Sequence, residues 1–111
     1  MQITIDDQGP FAIVRVTGQL TSQDAQRLTD EVHPLMRGRE TRLAVGLAEL
    51  ETVDSAGLSC LIGIVTRARL EQGRAVLVGP SKFVRGVLEV TQLDTWFEIC
   101  ADFDEAAERL S

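Results

Sequence analysis

The chain has 111 residues, 44% of them apolar and 25% charged, and carries a formal net charge of −6. This is the size of one domain with its own core, and the composition is globular rather than disordered. An acidic balance without a dense run of Lys or Arg leaves no footprint for a phosphate backbone, which excludes nucleic acid as the expected partner.

The start, Met1-Gln2-Ile3-Thr4-Ile5, has no basic segment leading into an apolar one. The longest apolar stretch, Leu58 to Val65, is interrupted by Ser59 and Gly63 and is too short to cross a bilayer. A cytoplasmic protein without membrane insertion is therefore expected. Cys60 and Cys100 lie far apart with no CxxC spacing, so both read as buried free thiols. His33 is the only histidine. It reads as a helix-surface residue, and neither a metal site nor a cofactor is expected.

Ile3 and Ile5 alternate with polar residues, Asp6-Asp7-Gln8-Gly9-Pro10 signals a turn, and Phe11 to Val16 is strand-like. These segments predict a β-hairpin closed by Gly18, with Thr21 or Ser22 capping the next element. Ala25, Leu28, Val32, Leu35 and Met36 recur at helical spacing. Pro34 should kink the last turn of that helix, and Gly38 should stop it. Arg42 to Leu47 predicts a strand with Leu43, Val45 and Leu47 on one side and Ala44 and Gly46 on the other. Mixed polar and apolar residues, Ala48 to Thr52, then lead into the turn at Asp54-Ser55.

Leu58, Leu61, Ile62, Val65 and Ala68 form the stripe of a second helix ending near Gly73. Its opposite face begins with small residues: Ala56, Ser59, Cys60 and Gly63. Such a face either lets a partner approach closely or packs under a neighbouring loop. Arg74 to Gly79 predicts a buried strand, and Pro80-Ser81 starts a third helix with Val84, Val87 and Leu88 inward. Phe97 to Ile99 predicts a last strand. Asp102 or Asp104 opens a final helix anchored by Phe103, Ala106 and Leu110. The order β-β-α-β-α-β-α-β-α predicts one α/β domain over residues 1–111, with about four helices and a mixed, mostly parallel sheet of about five strands.

In such sheets the loops at the carboxyl ends of strands carry function, and Val53-Asp54-Ser55-Ala56-Gly57-Leu58 is one of them. An Asp-Ser pair opening a helix is a good N-cap; alternatively the Ser55 hydroxyl is presented to a partner. An enzyme with Ser55 as nucleophile would need a nearby base, and His33, in another helix, has no evident orienting partner.

The chain resembles the STAS domains, and most closely the stand-alone bacterial anti-sigma factor antagonists. The residues that carry the resemblance are Gly18-Gln19-Leu20, Thr52-Val53-Asp54-Ser55-Ala56-Gly57-Leu58, Gly73 before its strand, Leu93-Asp94, and Asp104-Glu105-Ala106. The resemblance implies a regulatory STAS fold rather than an enzyme. It implies that the unphosphorylated protein binds an anti-sigma factor with serine kinase activity and so releases a sigma factor. Phosphorylation of Ser55 would end binding, and a serine phosphatase would restore it. Asp54, Ser55, Ala56, Gly57, Ser59, Cys60, Gly63 and Thr21 would form the partner-binding surface.

The chain departs from the family pattern at two places. Ala56 stands where many antagonists have a second Ser, which leaves Ser55 as the only hydroxyl in the turn. Thr21 stands where many carry an Asp, which bears on the class of kinase engaged. A related alternative is a STAS subunit of a lipid-transport ABC system that binds its ATPase without phosphorylation.

Overall fold

A computed structural model describes residues 1–7, 9–36 and 40–110. β1 (Gln2–Asp6) and β2 (Ala12–Leu20) form the antiparallel hairpin. α1 (Ala25–Val32) passes into a short 3₁₀ turn at His33–Met36. Then come β3 (Arg42–Gly46), β4 (Leu50–Val53), α2 (Ser55–Leu70), β5 (Arg74–Val78), α3 (Lys82–Val90), β6 (Ile99–Cys100) and α4 (Phe103–Leu110). The sheet runs β1-β2-β3-β5-β6, and β4 pairs with the far end of β2. Every pairing except β1 with β2 is parallel.

The two faces of the sheet are covered unequally. Val14, Val16, Leu20, Leu43, Val45 and Leu77 meet Leu28 and Val32 of α1, Leu61, Ile64 and Val65 of α2, and Val84 and Leu88 of α3 in the main core. On the other face Ala44, Val76, Val78 and Cys100 pack against Ala106 and Leu110 of α4. The predicted division of β3, Leu43 and Val45 one way and Ala44 the other, follows from strand periodicity and is observed. Fully burying a Leu or Val side chain contributes about 1.5–3 kcal/mol, so the main core dominates stability. Polar contacts fasten α4. Arg74 Nε lies 2.7 Å from Glu98 Oε1, and Arg109 lies 3.2 Å from Glu98 Oε2 and 2.9 Å from Glu105 Oε1. The Arg74 hydrogen bond, despite some desolvation, holds the Glu98 carboxyl below its usual range, and Arg109 adds to the effect.

Several expectations need correction. Gly18 does not close the hairpin. β2 continues through it with φ +89°, a conformation natural to glycine, and the pairing shifts register between Gly18 and Gln19. Neither Thr21 nor Ser22 caps α1 with its side chain; Asp24 occupies the cap position, and the Thr21 carbonyl accepts from the N–H groups of Asp24 and Ala25 at 2.9 Å each. Leu50–Val53 is a strand, although its mixed residues gave no strand signal. The buried face of α2 is also rotated from the expected stripe: Gly57, Cys60 and Ile64 are inside, while Leu58 and Ile62 are half-buried at the core margin. Val87 of α3, expected inward, is likewise only half-buried. The last strand is Ile99–Cys100, displaced from Phe97 to Ile99.

Pro34 acts as expected: α1 ends at Val32 and tightens into the 3₁₀ turn that holds the proline. The stop assigned to Gly38 lies outside the described residues. Both cysteines are free and buried.

Candidate functional site

The site is built where β2 and β4 end together. Leu20 is paired with Val53, so the residues leaving the two strands emerge side by side: Thr21-Ser22 from one, Asp54-Ser55 from the other. Asp54 joins them. Its N–H donates to the Leu20 carbonyl at 3.2 Å. Its Oδ1 accepts from the Gly57 N–H at 2.9 Å, capping α2, and its Oδ2 accepts from the Ser22 N–H at 3.0 Å. Those amide hydrogen bonds, the one from Gly57 foremost, hold the Asp54 carboxyl below its ordinary value of 3.8, against a smaller effect of desolvation.

Gly57 permits this closeness. A Cβ there would lie 2.3 Å from the Leu20 carbonyl oxygen, 2.8 Å from Val53 Cγ2 and 2.9 Å from Leu20 Cγ. Gly57 is accordingly buried, and its part is to seat α2 against β2 and β4 rather than to meet a partner.

With Asp54 as the cap, Ser55 becomes the first residue of the helix. Its side chain is exposed, and among the described residues it forms no hydrogen bond. Ala56 is half-buried beside it, and Ser59 and Gly63 are exposed further along α2. Cys60 points the other way, into the α1–α2 seam. Its Sγ donates to the Ala25 carbonyl at 3.3 Å and lies 3.2 Å from Thr29 Oγ1. Burial pushes this thiol up from its ordinary value, which disfavours the thiolate, and the residue lines the floor of the open groove between α1 and α2. Thr21 is half-buried at the end of β2.

A shallow open groove of about 460 Å³ runs between α1, the 3₁₀ turn and α2, lined by residues that include Thr29, Ser59, Gly63 and Arg67. His33 also lines it, on the 3₁₀ turn that packs beside α2. Among the described residues no hydrogen bond joins it to Ser55. Among the described residues no group of His, Cys, Asp or Glu is placed to hold a metal ion, and no helix is long and apolar enough to cross a membrane.

The turn and its serine are thus legible in the sequence, but the Ser22 amide, second partner of Asp54, is not. That contact joins residues far apart in sequence and requires β4, whose short run Leu50-Glu51-Thr52-Val53 lacks regular alternation.

The sheet thus ends in a capped helix start, with an exposed serine that forms no hydrogen bond among the described residues. The family model described as the Mlab STAS domain matches residues 3–100. The chain belongs to the STAS domain family. BtrV of Bordetella bronchiseptica, provisionally named an anti-sigma factor antagonist, is 27% identical over 107 residues, which cover 96% of this chain and 92% of that protein. A Thermotoga maritima protein, provisionally named likewise, superposes with a TM-score of 0.88 at 24% identity, covering 97% of this chain and 93% of its own. The anti-sigma factor antagonist SpoIIAA in its unphosphorylated form gives a TM-score of 0.82 at 22% identity, covering 98% and 96% of the two chains. The Bacillus cell fate determinant SpoIIAA in its phosphorylated form gives 0.77 at 20% identity, covering 99% and 100%.

Proposed function

We propose that this protein is an anti-sigma factor antagonist whose docking to a serine-kinase anti-sigma factor is switched off by phosphorylation of Ser55. The supporting observation is the division of labour in the turn: Asp54 satisfies the helix start, and Ser55 is left exposed with its hydroxyl uncommitted. In the modification, Ser55 Oγ attacks the γ-phosphorus of ATP. The new O–P bond forms as the bond to ADP breaks, and the hydroxyl proton passes to a base on the kinase. BtrV and SpoIIAA, with the names they carry, support the partner class.

A phosphate on Ser55 adds about −1.5 to −2 charge. At the first residue of a helix the macrodipole favours that charge, so the fold should tolerate it. The penalty falls on the interface, where a partner must desolvate a dianion beside Asp54. Burying an imperfectly paired charge costs a few kcal/mol, enough to reduce affinity by orders of magnitude. Release without refolding is the expected behaviour. A serine phosphatase acting on phospho-Ser55 would reset the switch. The exposed residues offered to the partner in this reading are Asp54, Ser55, Ser59 and Gly63, flanked by half-buried Ala56 and Thr21.

The test is intact-mass analysis and phosphosite mapping after incubation with ATP and a neighbouring or co-purifying serine-kinase anti-sigma factor, on the wild type and Ser55→Ala. The proposal expects one phosphate that Ser55→Ala abolishes. It also expects kinase binding by both unmodified proteins, with loss of binding by the phosphorylated wild type. Unmodified wild type together with tight binding to a transporter ATPase would instead favour the ABC-subunit alternative.

A further inference from the structure

We propose that the outer face of α3 is a self-association surface, on which a second copy of this chain docks its own α3 antiparallel, about a two-fold axis near Gly86. This surface is separate from the Ser55 turn and does not depend on the phosphorylation switch.

α3 turns Val84 and Leu88 into the core. Its other apolar residues, Phe83, Gly86, Val87 and Val90, are spaced i, i+3, i+4 and i+7, which places them on one side of the helix. Phe83 is 49% exposed and Val90 86% exposed, and a Cβ at Gly86 would meet nothing within 4 Å. A lone exposed apolar residue needs no explanation, but a stripe in helical register is the pattern of a helix that packs on both sides.

The charges of α3 indicate what covers the stripe. Lys82 lies in the first turn and Glu89 in the last, each at the end where its own helix dipole disfavours it. Lys82 precedes Glu89 by the same interval as Phe83 precedes Val90, close to two full turns, so each pair shares one side of the helix. In an antiparallel pair centred on Gly86, Lys82 of each copy comes within one residue's rise, about 1.5 Å along the axis, of the level of Glu89 of the other on the same flank, and Phe83 likewise of Val90. The two dipoles then oppose, and the helix axes can approach closely where Gly86 lacks a side chain. Parallel pairing would set Lys82 against Lys82 and Glu89 against Glu89. The helix is thus complementary to itself in reverse, the relation that a two-fold interface requires. One helical stripe buries less than the ~800 Å² per partner of a standard stable interface, so the association should be weak and concentration-dependent.

The test is sedimentation velocity of the full chain over a micromolar-to-millimolar series, alongside Glu89→Lys, Lys82→Glu and the double exchange Lys82→Glu/Glu89→Lys. Both positions are exposed, and unchanged far-UV circular dichroism checks each fold. The wild type should pass from monomer to dimer. Either single exchange sets like charges opposite each other and should weaken dimerisation roughly tenfold or more, and the double exchange should restore it. A wild type that stays monomeric throughout overturns the proposal, including the case where α3 binds a different protein. So does a dimer indifferent to the single exchanges, or one that the double exchange fails to restore.

Discussion

Two helices of this domain begin in the same way and end up with serines of opposite status. α2 and α3 both start just beyond the carboxyl ends of parallel strands, each with a serine where the helix begins. At α3, Ser81 is the cap: Oγ accepts from the Val84 N–H at 3.4 Å and donates to the Leu50 carbonyl at 2.6 Å. That hydroxyl is consumed in joining α3 to β4. At α2 the cap is Asp54, and the serine one residue later has nothing to hold. A one-residue offset against the cap separates a structural hydroxyl from an available one. The residue type alone does not distinguish them.

The α2 start should be disturbed most severely at Gly57. In Gly57→Ala the new methyl group meets backbone at Leu20 that cannot move aside, and a loss of about 3 kcal/mol is expected, read as a lower urea midpoint. Asp54→Ala should come next, because the Gly57 and Ser22 amides both lose their acceptor. Acid supplies a second readout of that cap. The Asp54 carboxyl titrates below its ordinary 3.8 in the folded state, so the unfolded chain takes up the proton first. Its stabilisation is complete above that value and is lost as the pH falls through the lower folded one. The gap in thermal midpoint between wild type and Asp54→Asn should therefore be constant near neutrality and close only in acid.

Ser81→Ala should cost about 1 kcal/mol, the usual worth of a lost cap, while leaving modification at Ser55 intact. The smallest effect belongs to Ser55→Ala, which should change stability by less than ~0.5 kcal/mol because nothing in the fold depends on that hydroxyl. Paired denaturation curves for these two serine variants test the contrast directly. Equal losses would mean that Ser55 is structural after all.

Local pattern explains which parts of the fold are legible in the sequence. Strands with clear apolar runs, such as Leu43 to Leu47 and Ala75 to Val78, and helices with regular stripes, such as that of Leu28 and Val32, stand out because periodicity reports burial directly. β4 does not, since its four residues are too few to show a period and its only strand partner among the described residues is the far end of β2. Gly57 and Cys60 mislead together. Both are small residues near the turn, and small size is equally consistent with an exposed landing face and with a tight internal contact. Distances to Leu20 and Ala25 decide for the second, and no local pattern encodes those.

The fork in β2 has a consequence for engineering. Below Gly18 the strand is paired with β3; above it, with β4, and the register shift marks the junction. Everything beyond the junction on β2, together with β4 and the opening turn of α2, is held to one another by backbone pairing and by Asp54. These two stretches form a cassette that should be exchangeable as a unit between relatives. Grafted together, they should carry partner choice with them onto an unchanged scaffold; moved singly, either should leave a mismatched turn.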